Sequence, residues 1–201
     1  MMRDKETLRR RVWDTLTNNN LIIPPKSAYG RIPNFKGSIE AAELLRSTDE
    51  WIDSNTIFCS PDTAQIKVRE FALKDSKTLV MATPKLKYGY LSINPENAVG
   101  IEEHASTIEG AFEIGKIIDK FPKIDIVIEG SVAVDLNGNR LGKGGGYGDR
   151  EISHLFQEEV IDNKTPIVTT VHKIQIVDKI PVEEHDRQIN MIVTPLNIIR
   201  I

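Results

Sequence analysis

The sequence predicts an α/β fold: three layers, α/β/α, around a mainly parallel sheet. Two observations carry this expectation. Short apolar runs such as TIFCS, KTLVMATP and IDIVIEGSVAV read as strands buried on both faces. They alternate with amphipathic stretches such as PDTAQIKVREFAL, the pattern of a layered parallel sheet. At 201 residues the chain fits one domain, 1–201, with residues 1–37 as a helix and connection packed onto it.

Taken in order, residues 4–18 predict a helix, because Leu8, Val12 and Leu16 recur at helical spacing with Trp13 beside them. Asn18, Asn19 and Asn20 stop it. Residues 21–37, with three prolines and two glycines, predict a shaped connection. Ser38 is expected to cap the short helix SIEAAELLRS, and Asp62 to open the next one. STIEGAFEIGKIIDKF reads as one helix and IDIVIEGSVAV as one strand. Asn137-Gly138 predicts a tight hairpin turn, and residues 149–160 a helix. PIVTTVH, KIQIV and MIVTP complete the β-type runs.

Composition narrows the function classes. A net charge of −3 offers no general affinity for nucleic acid, so anions must be caught locally. The single cysteine, Cys59, leaves no disulfide or thiolate cluster and reads as packing. No apolar run approaches the ~20 residues of a membrane helix. The charged N-terminus is not followed by an apolar stretch, so the expectation is a soluble, cytoplasmic chain, and a monomer.

The chemistry is concentrated in GNRLGKGGGYGD, residues 138–149. Five of the chain's 13 glycines, Gly142, Gly144, Gly145, Gly146 and Gly148, fall in its last eight positions, after an apolar strand and before a helix. Such a loop lets backbone N–H groups converge on an anion beside a helix N-terminus. Arg140 and Lys143 add full positive charges. Asp149 would repel phosphate unless a divalent cation bridges them; the other reading is a plain helix N-cap. The loop is neither a Walker A motif nor a dinucleotide GxGxxG.

RLGKGGGYGD resembles the RLGxGxGYYD signature of the 5-formyltetrahydrofolate cyclo-ligase family. IVDKIPVEEHDRQINMIVTP is similar to that family's closing PVxxHD motif and its strand ending in TP, and KETLR to its KxxLR opening. The RIPNFKGS and GSVAV segments resemble the branch known as methenyltetrahydrofolate synthetase domain-containing proteins. The resemblance implies a sugar-isomerase and CoA-transferase-like architecture. It also implies a reaction in which ATP and Mg2+ close 5-formyltetrahydrofolate to the 5,10-methenyl form, releasing ADP and phosphate. Carried over by position, Lys5 and Arg9 would reach the ATP phosphates, and Arg140, Leu141, Gly142, Lys143, Gly144, Gly145, Gly146, Tyr147 and Gly148 would wrap them. Asp149 and Asp186 would hold magnesium, while Lys143 and Tyr147 would meet the reacting folate. The alternatives are an exposed basic face for Lys5 and Arg9 and a solvated charged run for Asp186. His185 is expected to orient its loop through a hydrogen bond. Arg31 and Lys85 are further candidates for phosphate or a folate glutamate tail.

Three positions depart from the family pattern. Ser60 stands where an ExxT glutamate would bind the pterin, with Asp62 as a conceivable substitute. Gly148 replaces the second loop tyrosine and Asn190 the second aspartate of the closing motif. The nucleotide half of the pattern is better kept than the pterin half. The leading expectation is therefore an ATP-dependent cyclo-ligase acting on this or a related reduced pterin. The rival is a non-catalytic ATP-binding or interaction module of the same family.

Overall fold

The computed structural model describes residues 2–24 and 27–201, so residues 25 and 26 of the proline-rich connection lie outside the described residues. The chain opens with helix α1 (Met2–Asn18), then α2 (Ser38–Arg46) and α3 (Asp49–Ile52). Strand β1 (Thr56–Cys59) leads into α4 (Ile66–Lys74) and β2 (Thr78–Ala82), followed by β3 (Tyr90–Ile93). Helices α5 (Glu102–Ala105) and α6 (Ile108–Ile114) precede β4 (Lys116–Ile118) and β5 (Ile126–Ile128). A hairpin of β6 (Ala133–Val134) and β7 (Arg140–Leu141) comes before α7 (Tyr147–Gln157). The chain closes with β8 (Ile167–Thr170), β9 (Met191–Val193) and β10 (Ile198–Arg200).

The main sheet has the order β10-β9-β8-β5-β1-β2-β3-β4. The five strands from β9 to β2 run parallel; β10 joins β9, and β3 and then β4 join β2, through antiparallel pairings. Alternate residues of the same strands enter different cores. Ile57, Cys59, Leu79, Met81, Ile126 and Ile128 pack with α2 and α4. Phe58, Val80, Val127 and Ile192 pack with Ile152 and Leu155 of α7. Burial on both faces is what makes these strands read as unbroken apolar runs, and the three-layer expectation holds. A third cluster joins Leu8, Val12, Trp13 and Leu16 of α1 to Phe35 in the connection and Ala133 and Leu141 in the hairpin. That packing fixes α1 against the loop that leaves β7.

Several local expectations are corrected. The run 124–134 is two strands in different sheets, parted at Glu129 and Gly130. The stretch 106–121 is a helix only to Ile114. Gly115 is extended, and β4 follows on the edge of the sheet. Residues 173–175 form a single 3-10 turn, capped by the His172 side chain, and only Ile176 bridges to Val134. Gly37 rather than Ser38 is the N-cap of α2. Asp62 precedes the 3-10 turn Thr63–Gln65 but makes no capping hydrogen bond with its side chain. The hairpin turn at Asn137-Gly138 is as expected, with Val134 paired to Arg140.

Candidate functional site

The glycine loop leaves β7 at Gly142 and ends at Gly146, the N-cap of α7. Gly144 and Gly146 have φ of 109° and 63°, left-handed values that a residue with a Cβ rarely adopts, so the loop's path requires glycine at both. Two carbonyls anchor it. Arg9 Nε donates to the Gly142 oxygen at 2.8 Å, and Arg150 Nη2 donates to the Gly145 oxygen at 2.8 Å. Arg150 also lies 4.5 Å from the centroid of the Tyr147 ring.

The loop separates two depressions. The larger, of about 1220 Å3, is walled by Lys5 and Arg9 of α1, by Arg150 and His154 of α7, and by His185 and Asp186. The smaller, of about 270 Å3, lies toward the carboxyl ends of the parallel strands. Ser60, Asp62, Glu129, Lys143, Tyr147 and Glu151 line it. Ligands of open α/β sheets gather at such strand ends.

The structure brings together most of the residues singled out from the sequence, with different partners. Lys5 is not on an exposed face: it is buried and donates to Asp186 at 2.6 Å and Glu183 at 2.8 Å. Burial opposes its charge, yet the two carboxylates more than compensate and raise its pKa. Asp186 is held below the usual carboxylate range; burial works against this, but the Lys5 ammonium and the Glu183 N–H prevail. Arg140 does not project from the loop. Its guanidinium is buried beneath it, donating to Asp149 at 2.9 Å and to the Gly130 oxygen at 3.2 Å. Leu141 turns its side chain into the α1 cluster. Lys143 crosses the smaller depression to Asp62 Oδ1 at 2.9 Å, so Asp62 serves an ion pair instead of a cap. Arg31 and Lys85 also reach this depression. His185 is exposed, its ring 3.7 Å from Glu183 and 3.8 Å from Asp186, so among the described residues the expected orienting hydrogen bond is absent.

Asp149 and Asp186 lie on neighbouring segments, since the N–H of Arg187 donates to Asp149 Oδ1 at 3.1 Å. Each spends one oxygen on its partners, Asp149 Oδ1 and Asp186 Oδ2. The other oxygen of each is left without a hydrogen bond among the described residues. That donor set, hard carboxylate oxygens beside a basic wall, suits magnesium carried on phosphates. Asp186 also belongs to a group with Glu183 and His185 whose ligand atoms fall within 4.8 Å of one another.

The departures have local reasons. A Cβ at Gly148 would sit 2.7 Å from Arg140 Nη2, so glycine there keeps Arg140 on Asp149. Asn190 Oδ1 accepts from the Ile167 N–H at 2.8 Å and brackets β8 to β9. Cys59 is buried, and burial pushes its thiol up to about 12, so it stays protonated and inert.

Sequence reasoning missed one feature. Glu129 and Glu151 are both buried and interact with each other and with Arg140. Burial and the neighbouring carboxylate raise Glu129 well above its ordinary value, and burial raises Glu151 to about 7. The available signal was a lone glutamate closing an apolar run.

A model described as the 5-formyltetrahydrofolate cyclo-ligase family matches residues 1–195. Methenyltetrahydrofolate synthase domain-containing proteins of Mus musculus and Homo sapiens are 35% and 34% identical over 203 residues. The match covers 97% of this chain but 54% and 53% of theirs, so the chain spans about half the length of these relatives. The 5-formyltetrahydrofolate cyclo-ligase of Escherichia coli (strain K12) is 40% identical over 73 residues, 36% of this chain and 37% of that one. Among solved structures, the 5,10-methenyltetrahydrofolate synthetase of Aquifex aeolicus superposes with a TM-score of 0.61 at 22% identity. It covers 98% of this chain and 92% of that one. This likeness concerns the fold. Among the described residues, no helix is long and apolar enough to cross a membrane.

Proposed function

The chain belongs to the 5-formyltetrahydrofolate cyclo-ligase family, and from that premise we propose that it is a cytoplasmic ligase. It uses ATP and Mg2+ to close 5-formyltetrahydrofolate, or a related reduced pterin, to the 5,10-methenyl form. One observation carries the reading: a glycine loop stands between a basic and acidic depression on one side and a small polar cavity at the strand ends on the other. A single loop can then face a nucleotide and a one-carbon donor together.

In this reading Lys5 and Arg9 neutralise phosphate charge, and the loop's backbone follows the triphosphate. Lys143 and Tyr147 line the smaller cavity, where Lys143 would balance charge on the formyl oxygen. Asp149 and Asp186 would hold magnesium, which supplies charge neutralisation on the phosphates. Chemistry of this kind depends on position and electrostatics more than on covalent help from the protein. In this reading Lys5 would partly leave Glu183 and Asp186 to reach a phosphate.

The test is direct. Protein supplied with ATP, Mg2+ and 5-formyltetrahydrofolate should develop the near-ultraviolet absorbance of the methenyl product and release phosphate in equal amount. A second reading, a nucleotide-binding module without turnover, is favoured by Ser60 at the position of the family's pterin-binding glutamate. ATP binding without that absorbance would select it.

A further inference from the structure

The smaller cavity holds polar atoms that neither the loop nor the nucleotide residues use. Ser60 and Glu129 follow neighbouring parallel strands: Ile128 pairs with Cys59, and the Ser60 N–H donates to the Ile128 oxygen at 2.9 Å. The register therefore puts Ser60 and Glu129 side by side at the floor. Glu151, from the second turn of α7, is buried, lines the same cavity and interacts electrostatically with Glu129. Glu129 is 2% exposed and Ser60 1%, and both line the cavity. Yet among the described residues Glu129 Oε1 and Ser60 Oγ have no hydrogen-bond partner, and neither does Arg140 Nε. Buried polar groups are nearly always paired, so three orphans converging on one cavity need an explanation.

We propose that Glu129, Glu151 and Ser60 form a recognition floor for a planar heterocyclic edge that presents adjacent N–H donors next to a carbonyl. The 2-aminopyrimidinone edge of a reduced pterin belongs to this class. In naming that ring the proposal rests on the cyclo-ligase reading. The donor and acceptor inventory sets the chemistry. Even with a proton held between Glu129 and Glu151, the pair keeps carboxyl oxygens that accept, and a ligand edge carrying hydrogen satisfies them. A serine hydroxyl and a guanidinium N–H donate, so the same edge must also carry an acceptor. An amino group, a ring N–H and a ring carbonyl in one plane meet both demands. The volume, about 270 Å3, is near the ~300 Å3 lower end of ligand pockets and suits a bicyclic ring more than a whole folate. The glutamate absent at position 60 is thus replaced in kind by carboxyls from the next strand and from α7.

The experiment measures binding of 5-formyltetrahydrofolate, of a tetrahydropterin without its tail, and of p-aminobenzoylglutamate, which lacks the ring. The same titrations are repeated for ATP with Mg2+. Wild-type protein should bind the first two ligands, and Glu129→Leu, which removes the acceptor, should weaken both by about tenfold or more. Binding of p-aminobenzoylglutamate and ATP should stay within about twofold, the change expected when no contact is lost. Ser60→Ala guards against misfolding. It removes an unpartnered hydroxyl, so the thermal midpoint should hold or rise while pterin affinity falls. Wild-type affinity in both variants would overturn the proposal, as would ATP binding by wild-type protein that takes up neither ring-bearing ligand. Ring binding that depends on Glu129, with no methenyl product or no ATP binding, would uphold this site and overturn the ligase reading instead.

Discussion

Arg140 illustrates how a residue correctly placed in the sequence acquires its role from its surroundings. A charge in a glycine loop predicts a phosphate ligand, yet its side chain is only 3% exposed and is spent on Asp149 and Gly130. Removing one partner of a buried ion pair leaves the other uncompensated, which commonly costs 3–5 kcal/mol. Arg140→Met should therefore lower the unfolding free energy by about 3 kcal/mol in urea titrations; a loss below about 1 kcal/mol would mean Asp149 is satisfied without it. Lys5 carries the opposite lesson. As a member of an exposed basic face it would be neutral to folding, but it bridges Glu183 and Asp186. Lys5→Ala should cost about 1.5 kcal/mol, the scale of a hydrogen bond to a charged group, and should also weaken ATP binding. A stability change with full nucleotide affinity would confine Lys5 to a structural role.

At the scale of elements, legibility followed whether local pattern or distant pairing decided the outcome. Helix α1 and the strands β1 and β2 were readable because their apolar spacing is a local property. The break at Glu129–Gly130 was not, because a continuous apolar run does not disclose which sheet each half joins. Strand β4 was hidden behind α6 because the helix ends at a Gly115 that a run of apolar residues on either side obscures. The glycine loop was legible for its composition alone, whereas the Glu129–Glu151 pair depends on a strand end and a helix 22 residues apart, and the Lys143–Asp62 pair on an 81-residue separation. A comparable long-range junction ties three helices: Asp75, the C-cap of α4, accepts from Arg46 of α2 at Nε, 2.8 Å away, and from Trp51 of α3 at 2.9 Å. Burial pushes the Asp75 carboxyl up, but these hydrogen bonds outweigh it and hold the group below 3.8. A depressed carboxyl contributes stability above its unfolded value, and that contribution is lost as pH falls through the folded one. Stability should thus be flat in this respect at neutral pH and fall below about pH 4, and Asp75→Asn should remove part of that acid limb. An unchanged acid limb in the variant, read by urea titration at pH 7 and pH 3, would show that other carboxylates govern it.

For the whole molecule, the third core cluster would couple the proposed nucleotide binding to global stability. Helix α1 contributes Leu8, Val12, Trp13 and Leu16 to the same packing that holds the hairpin from which the loop departs. The charges of α1, Lys5 and Arg9, lie on the loop's other side. A ligand gripped by both therefore fastens α1 to the sheet, and a ligand that binds only the folded chain stabilises it in proportion to its saturation. At a hundredfold excess over the dissociation constant this amounts to about 2.7 kcal/mol. For a domain of this size each kcal/mol moves the midpoint by roughly 2–4 °C. ATP with Mg2+ should accordingly raise the thermal midpoint by roughly 5–10 °C, and most of the rise should vanish with EDTA, because Asp149 and Asp186 would repel unaccompanied phosphates. Arg9→Ala should lose the shift as well, since Arg9 both anchors Gly142 and faces the larger depression. A shift of equal size with and without metal would remove the two aspartates from the nucleotide site, and no shift at any concentration would detach the glycine loop from ATP altogether.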